Sequence, residues 1–138
     1  MPFSVAVLDE VNYGKLTPQR ATELCAAALS ACGFDLERVG ELSVALVDTP
    51  TIFDLNLEFK DKEFVTDVLS FEIDGPYGEM VGEIVVCPFQ AHPDMGVEEL
   101  VVHGALHLAG MEHGDEFEGT HMAVVQETVM RGVGVQER

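Results

Sequence analysis

The chain reads as a single small α+β domain over residues 1–138, a mixed four-stranded sheet with packed helices, one of which carries histidines. Three observations predict this. Hydrophobic periodicity switches between 2 and 3.6 in the order βαβα-ββ-αα, which suits a small mixed sheet with helices laid on it. At 138 residues and 47% hydrophobic content, the chain can bury a core without disulfides. No repeat, linker or low-complexity tract divides it.

Each element has its own signal. Phe3, Val5 and Val7 alternate with Ser4 and Ala6, predicting a strand over residues 3–9. Thr17-Pro18 is an N-cap followed by proline at the first helical position. Ala21, Leu24, Cys25, Ala28, Leu29 and Cys32 then keep helical period until Gly33. Leu42, Val44 and Leu46 mark a second strand. Asp48-Thr49-Pro50 opens a short helix whose apolar side is Ile52, Phe53, Leu55 and Phe59, followed by a charged loop over 60–65. Strands over 68–73 and 82–87 flank the turn Gly75-Pro76-Tyr77-Gly78, and Pro88 closes the second. Pro93-Asp94 precedes a histidine helix over about 97–109. A last helix over about 116–130 presents Phe117, Met122, Val125 and Val129.

Composition narrows the setting. Met1-Pro2-Phe3-Ser4 has neither the basic region nor the apolar run of a signal peptide. No apolar run approaches the ~20 residues of a membrane span. Cys25 and Cys32, seven apart on one helix, stand roughly 10 Å apart, too far for a disulfide. With Cys87 they read as buried thiols, so a reducing, cytoplasmic location without membrane is expected. The formal charge of −18, with three Lys and four Arg, repels polyanions and argues at first against nucleic acid.

Three of the five histidines fall within residues 103–113, spaced H-x3-H-x5-H. On a helix, His103 and His107 lie one above the other, which is how a helix offers two imidazoles to one metal. Gly110 can take the left-handed conformation that ends the helix, so that His113 returns as the third ligand. Three nitrogens leave the fourth tetrahedral position of Zn²⁺ open, the mark of a catalytic site. The spacing is that of the metzincins, HExxHxxGxxH, whose helix is zincin-like. The glutamate that serves those proteases as general base is here Gly104. His92 and His121 lack ligand spacing and are read as outside the set.

Three blocks, Asn56 to Phe71, Gly82-Glu83-Ile84-Val85-Val86-Cys87 and His103 to His113, hold register with one family pattern. That pattern runs roughly N-x-x-Y-R-G-K-D-x-P-T-D-V-L-S-F, L-G-D-I-V-I-C and H-G-x-L-H-L-x-G-Y-D-H. Over about residues 42–134 the chain closely resembles the YbeY family of rRNA maturation factors. The resemblance implies a metal-dependent endoribonuclease that acts on single-stranded RNA in 16S rRNA maturation and ribosome quality control. It implies one zinc ion held by His103, His107 and His113, and contact with proteins of the small ribosomal subunit. Lys60 stands where the family has arginine, and lysine is a compact point charge rather than a bidentate fork. Val65 replaces a proline, while Glu83 and Glu112 replace aspartates with longer stems.

Lys60 and Glu112 are therefore assigned to catalysis, and Lys62, Thr66, Asp67, Ser70 and Glu83 to contact with substrate or partner. Each also has a plain structural reading. Lys60 and Lys62 could be solubilising charges, Thr66-Asp67 a turn, Ser70 a satisfied strand hydroxyl and Glu112 a surface acid. A carboxylate or carbonyl is expected to fix at least one ligand tautomer, with Glu112 and Asp67 the nearest candidates. Two other functions stay open. A ribosome-assembly factor with a structural zinc fits the acidic surface. A zinc peptidase or amidohydrolase fits the ligand spacing but needs Glu112, Asp115 or Glu116 as its base.

Overall fold

The computed structural model describes residues 3–91 and 96–135; Met1, Pro2, His92 and the helix entry at Pro93-Asp94 lie outside the described residues. The elements are β1 (Val5–Asp9), α1 (Pro18–Ala31), β2 (Val39–Leu46), α2 (Thr49–Lys60), β3 (Val68–Asp74), β4 (Met80–Val86), α3 (Val97–Leu108) and α4 (His121–Gly132). Short 3-10 turns lie at Leu36–Arg38 and Pro88–Gln90. The four-stranded sheet has the order β1-β2-β4-β3. Crossover through α1 lets β2 run parallel to β1, and β4 runs parallel to β2, pairing Val44 with Ile84. The tight connection over residues 75–79 makes β3 antiparallel to β4, pairing Ser70 with Ile84. The mixed sheet with packed helices is thus the architecture expected from the pattern.

Strand alternation sorts the core onto two faces. Val5, Leu42, Val44, Leu46, Ile84 and Val86 join the cluster that includes α1, α3 and α4, while Ala45, Val47, Leu69, Val85 and Cys87 pack with Ile52 of α2. Helix α3 is buried almost all round, with Leu100, Val101, Val102, Ala105 and Leu106 wholly inaccessible. Each such leucine contributes about 1.5–3 kcal/mol relative to exposure, so the element carrying the histidines is anchored in the core. Gly104 is what lets it approach. A Cβ there would stand 2.6 Å from Ile84 Cγ2 and 3.1 Å from Ser70 Oγ. A glutamate at Gly104 would force Ile84 and the sheet aside, which gives the missing peptidase base a packing cause.

Some expectations are corrected. Lys60 is the last residue of α2, not the start of a loop. Asp61 caps the helix at φ 55 with its N–H on Asn56 O, and a cation in the last turn suits the helix dipole. The last helix starts at His121 rather than near residue 116, because Gly119 turns at φ 81 and Thr120 Oγ1 accepts from Ala123 N at 3.1 Å. Phe117 therefore lies in the preceding loop. Cys25 and Cys87 are buried, but Cys32 is partly exposed as the C-cap of α1; all three are free thiols. Among the described residues no helix is long and apolar enough to cross a membrane.

Candidate metal centre

The site is built from one helix end. Leu108 closes α3, and Gly110, at φ 96, reverses the chain. Met111 N then donates to Leu106 O at 3.0 Å and Gly110 N to His107 O at 2.9 Å, the paired bonds of a Schellman cap. This turn carries His113 back beside the helix. The His113 ring centroid stands 5.2 Å from those of both His103 and His107. The three side chains each offer one ligand nitrogen, all within 4.8 Å of one another.

The outer nitrogens are each tied to a carbonyl-type oxygen. His107 Nδ1 lies 2.8 Å from Met111 O, His113 Nδ1 2.6 Å from Gly114 O and His103 Nδ1 2.8 Å from Gln126 Oε1. These oxygens only accept, so each Nδ1 carries a proton, and in the neutral ring Nε2 presents a lone pair. His103 Nε2 and His107 Nε2 stand 3.1 Å apart. Tetrahedral Zn–N bonds of 2.0–2.1 Å put two such nitrogens about 3.3 Å apart. Two lone pairs facing each other at this distance repel unless an electrophile lies between them. The donor set thus fits a metal ion. Burial holds His103 down to about pH 4 in its proton affinity, with His107 and His113 adding to the effect. Burial likewise lowers His107. At neutral pH these two imidazoles are neutral, the state a metal requires.

The expectation that a carbonyl fixes a ligand tautomer is met by Met111 O and Gly114 O, and only Glu112 is corrected as a nearest candidate. Main-chain oxygens and Gln126 hold the imidazoles, while Glu112 Oε2 is 3.8 Å from His107 Nδ1 and its side chain is 82% exposed. Gln126 sits on α4, only 1% exposed, and its Nε2 donates to Glu99 Oε2 at 2.8 Å. Phe117 meets the rings of His103 and His113 edge-on, with centroids at 5.0 and 5.1 Å. Neither residue was foreseen. Gln126 offered only a polar residue on the inward side of an apolar helix as its signal.

A cleft of about 540 Å³ lies over the histidines, and Lys60, Lys62, Thr66, Asp67, Ser70 and Glu112 all line it. Lys60 Nζ donates to Ser70 O at 3.0 Å and lies 5.0 Å from the Phe71 ring centre. Ser70 Oγ donates to Gly104 O at 2.9 Å, fastening β3 to α3. Thr66 Oγ1 makes a long 3.5 Å contact with Val68 O, and Asp67 O accepts from Cys87 N at 2.9 Å. Glu83 is not brought to the site. Gly82 and Ile84 face α3, so alternation turns Glu83 to the opposite face, where Ser43 Oγ donates to it at 3.1 Å.

The comparisons agree with this geometry. The family profile of endoribonuclease YbeY matches residues 8–134. The endoribonuclease YbeY of Rubrobacter xylanophilus is 63% identical over 134 residues, 96% of this chain and 98% of that protein. The endoribonuclease YbeY of Azorhizobium caulinodans is 31% identical over 124 residues, 80% and 78% of the two chains. Among solved structures, the solution structure of TM1509 from Thermotoga maritima superposes with a TM-score of 0.55 and 27% identity, covering 94% of this chain and 88% of that one. A profile match from β1 to beyond α4, together with a 63% identical relative of the same length, establishes that the chain belongs to the YbeY family.

Proposed function

We propose that the chain is a metal-dependent endoribonuclease that cleaves single-stranded RNA, with one zinc ion on His103, His107 and His113. The observation carrying this is the convergence of three imidazoles, two of them with facing lone pairs, at the floor of a cleft rimmed by Lys60. An all-imidazole tripod with an open fourth position suits zinc. When bound, the ion supplies Lewis-acid polarisation of a phosphoryl oxygen and acidifies water. The rest falls to the chain. Met111 O, Gly114 O and Gln126 Oε1 hold the imidazoles in the ligating tautomer. Lys60 uses one of its three N–H bonds on Ser70 O, which steadies the ammonium and leaves two for a phosphate oxygen. That charge offsets the negative charge carried by the phosphoryl oxygens in the transition state. Glu112 offers an exposed carboxylate in the cleft as acceptor for the proton lost by the attacking oxygen, of water or of the ribose 2′-hydroxyl, as it bonds to phosphorus; the scissile P–O bond breaks and the leaving oxygen takes up a proton.

Maturation of 16S rRNA, with proteins of the small ribosomal subunit nearby, is the setting that this proposal assigns. A cytoplasmic location belongs to it, supported by three free thiols. The net charge of −18 favours one other reading, an assembly factor that holds metal without cleaving. Zinc-loaded protein should cut single-stranded RNA faster than duplex RNA, and His107→Ala should lose both metal and cleavage. Metal binding without cleavage of either RNA would sink the nuclease reading and leave the assembly factor.

A further inference from the structure

We infer that Phe64 is a base-stacking platform, and that stacking rather than charge supplies most of the affinity for single-stranded RNA. This rests on the nuclease reading of the site and adds the residue that holds the substrate.

The electrostatics demand such a device. Lys60 and Lys62 line the cleft, but so do the carboxylates of Asp67, Glu72, Glu112 and Asp115. On a chain of charge −18 these cations cannot draw a polyanion in from a distance. Base stacking works against any charge background, because every base has a π-face. Phe64 lines the same cleft as the histidines with 53% of its surface exposed.

Scattered exposed aromatics are ordinary; this one is held in place. Asn56, 2% exposed within α2, donates from Nδ2 to Phe64 O at 3.0 Å. The same residue's carbonyl accepts from Asp61 N and, at 3.2 Å, from Lys62 N. One buried side chain and its carbonyl thus hold the main chain that presents Phe64, which lowers the backbone ordering entropy lost on binding. Lys62 Nζ lies over one face of the Phe64 ring at 5.8 Å, within cation–π range, so a base stacks on the opposite face. Phe59 is exposed to a similar degree, at 59%, but it packs edge-on against Phe71 with centroids 5.6 Å apart.

The test uses the absence of tryptophan from the chain. Phe64→Trp creates a single tryptophan, which can be excited apart from the two tyrosines, and a single-stranded oligoribonucleotide should quench its emission on mixing. Phe64→Ala and Phe64→Leu should raise KM for single-stranded RNA roughly 5- to 150-fold, the value of one lost stacking contact. Zinc content should not change, and Phe64→Trp or Phe64→Tyr should restore KM. An oligonucleotide with abasic sites and the same phosphates should bind the wild type as weakly as the intact one binds Phe64→Ala. The dependence of log K on log salt should be no steeper than about −1.4, two phosphate contacts at −0.7 each. An unchanged KM for Phe64→Ala, or a salt slope steeper than about −1.4, overturns the inference while leaving the nuclease reading standing. Should the wild type not cleave RNA at all, the nuclease reading fails. The Phe64→Trp titration then still decides this inference, with quenching supporting it and unchanged emission refuting it.

Discussion

Replacing Gln126 with leucine tests how the metal tripod is held. Gln126 is 1% exposed, with Oε1 2.8 Å from His103 Nδ1 and Nε2 2.8 Å from Glu99 Oε2. Glu99 Oε2 accepts the amide N–H, which leaves the amide oxygen for His103. Polarity thus runs one way, from Glu99 through Gln126 to His103, and ends in a lone pair at Nε2. Gln126→Leu keeps the bulk and removes the acceptor. Without metal, His103 can move its proton to Nε2 and donate to His107 Nε2, 3.1 Å away, so the hydrogen bond gained there offsets the acceptor left unpaired at Nδ1. With metal it cannot, and a buried N–H is left unpaired, costing about 1–3 kcal/mol. The penalty therefore falls on metal binding, roughly 5- to 150-fold in Kd, overlapping the 10–100-fold expected of second-layer partners. Competition against a chromophoric chelator measures this, and long-range 1H–15N NMR reads the His103 tautomer. The double variant Glu99→Gln/Gln126→Glu exchanges the two groups, restores an acceptor facing His103 and should bring affinity back to within about threefold. Wild-type zinc affinity in Gln126→Leu would refute the reasoning outright.

Three further outcomes follow from the same structure. Lys60→Ala should lower RNA cleavage by roughly 10²–10³ with zinc content and Tm nearly unchanged, and Lys60→Arg should match or exceed the wild type; kinetics on single-stranded RNA decide it, and unimpaired cleavage by Lys60→Ala removes this residue from the mechanism. Gly104→Ala should be less stable than the wild type despite the ~1 kcal/mol gained in helix propensity, because its Cβ would stand 2.6 Å from the wholly buried Ile84 Cγ2 and overpacking costs about 1–3 kcal/mol; urea unfolding measures the net, and a gain would mean the sheet yields freely. Asp48 caps α2 through Thr51, and bonds to that residue hold its carboxyl below the ordinary value of 3.8. A lowered folded value gives stability that is present above the ordinary one and lost as pH falls through it, so acid should destabilise the wild type more steeply than Asp48→Asn below about pH 4; parallel acid profiles would contradict the cap.

The sequence by itself determined what is local. His103, His107, Gly110 and His113 lie within eleven residues, so helical period and one left-handed turn bring the three imidazoles together wherever the helix docks. Strand and helix order was legible for the same reason, as each element carries its own period and caps. Boundaries were read less well where a single residue decides them: Asp61 extended α2 to include Lys60, and Gly119 with Thr120 delayed α4 and released Phe117 onto the histidines. Tertiary structure decided everything that depends on distant pairing. The β2–β4 pairing that places β4 between β2 and β3, the facing of Glu83 away from the cleft, and the fastening of Ser70 to Gly104 across 34 positions all depend on register. The link from Gln126 to His103 spans 23 positions and two helices. Packing decides such contacts, since a fully buried polar side chain must find its partner wherever the fold supplies one, however far along the chain that partner lies.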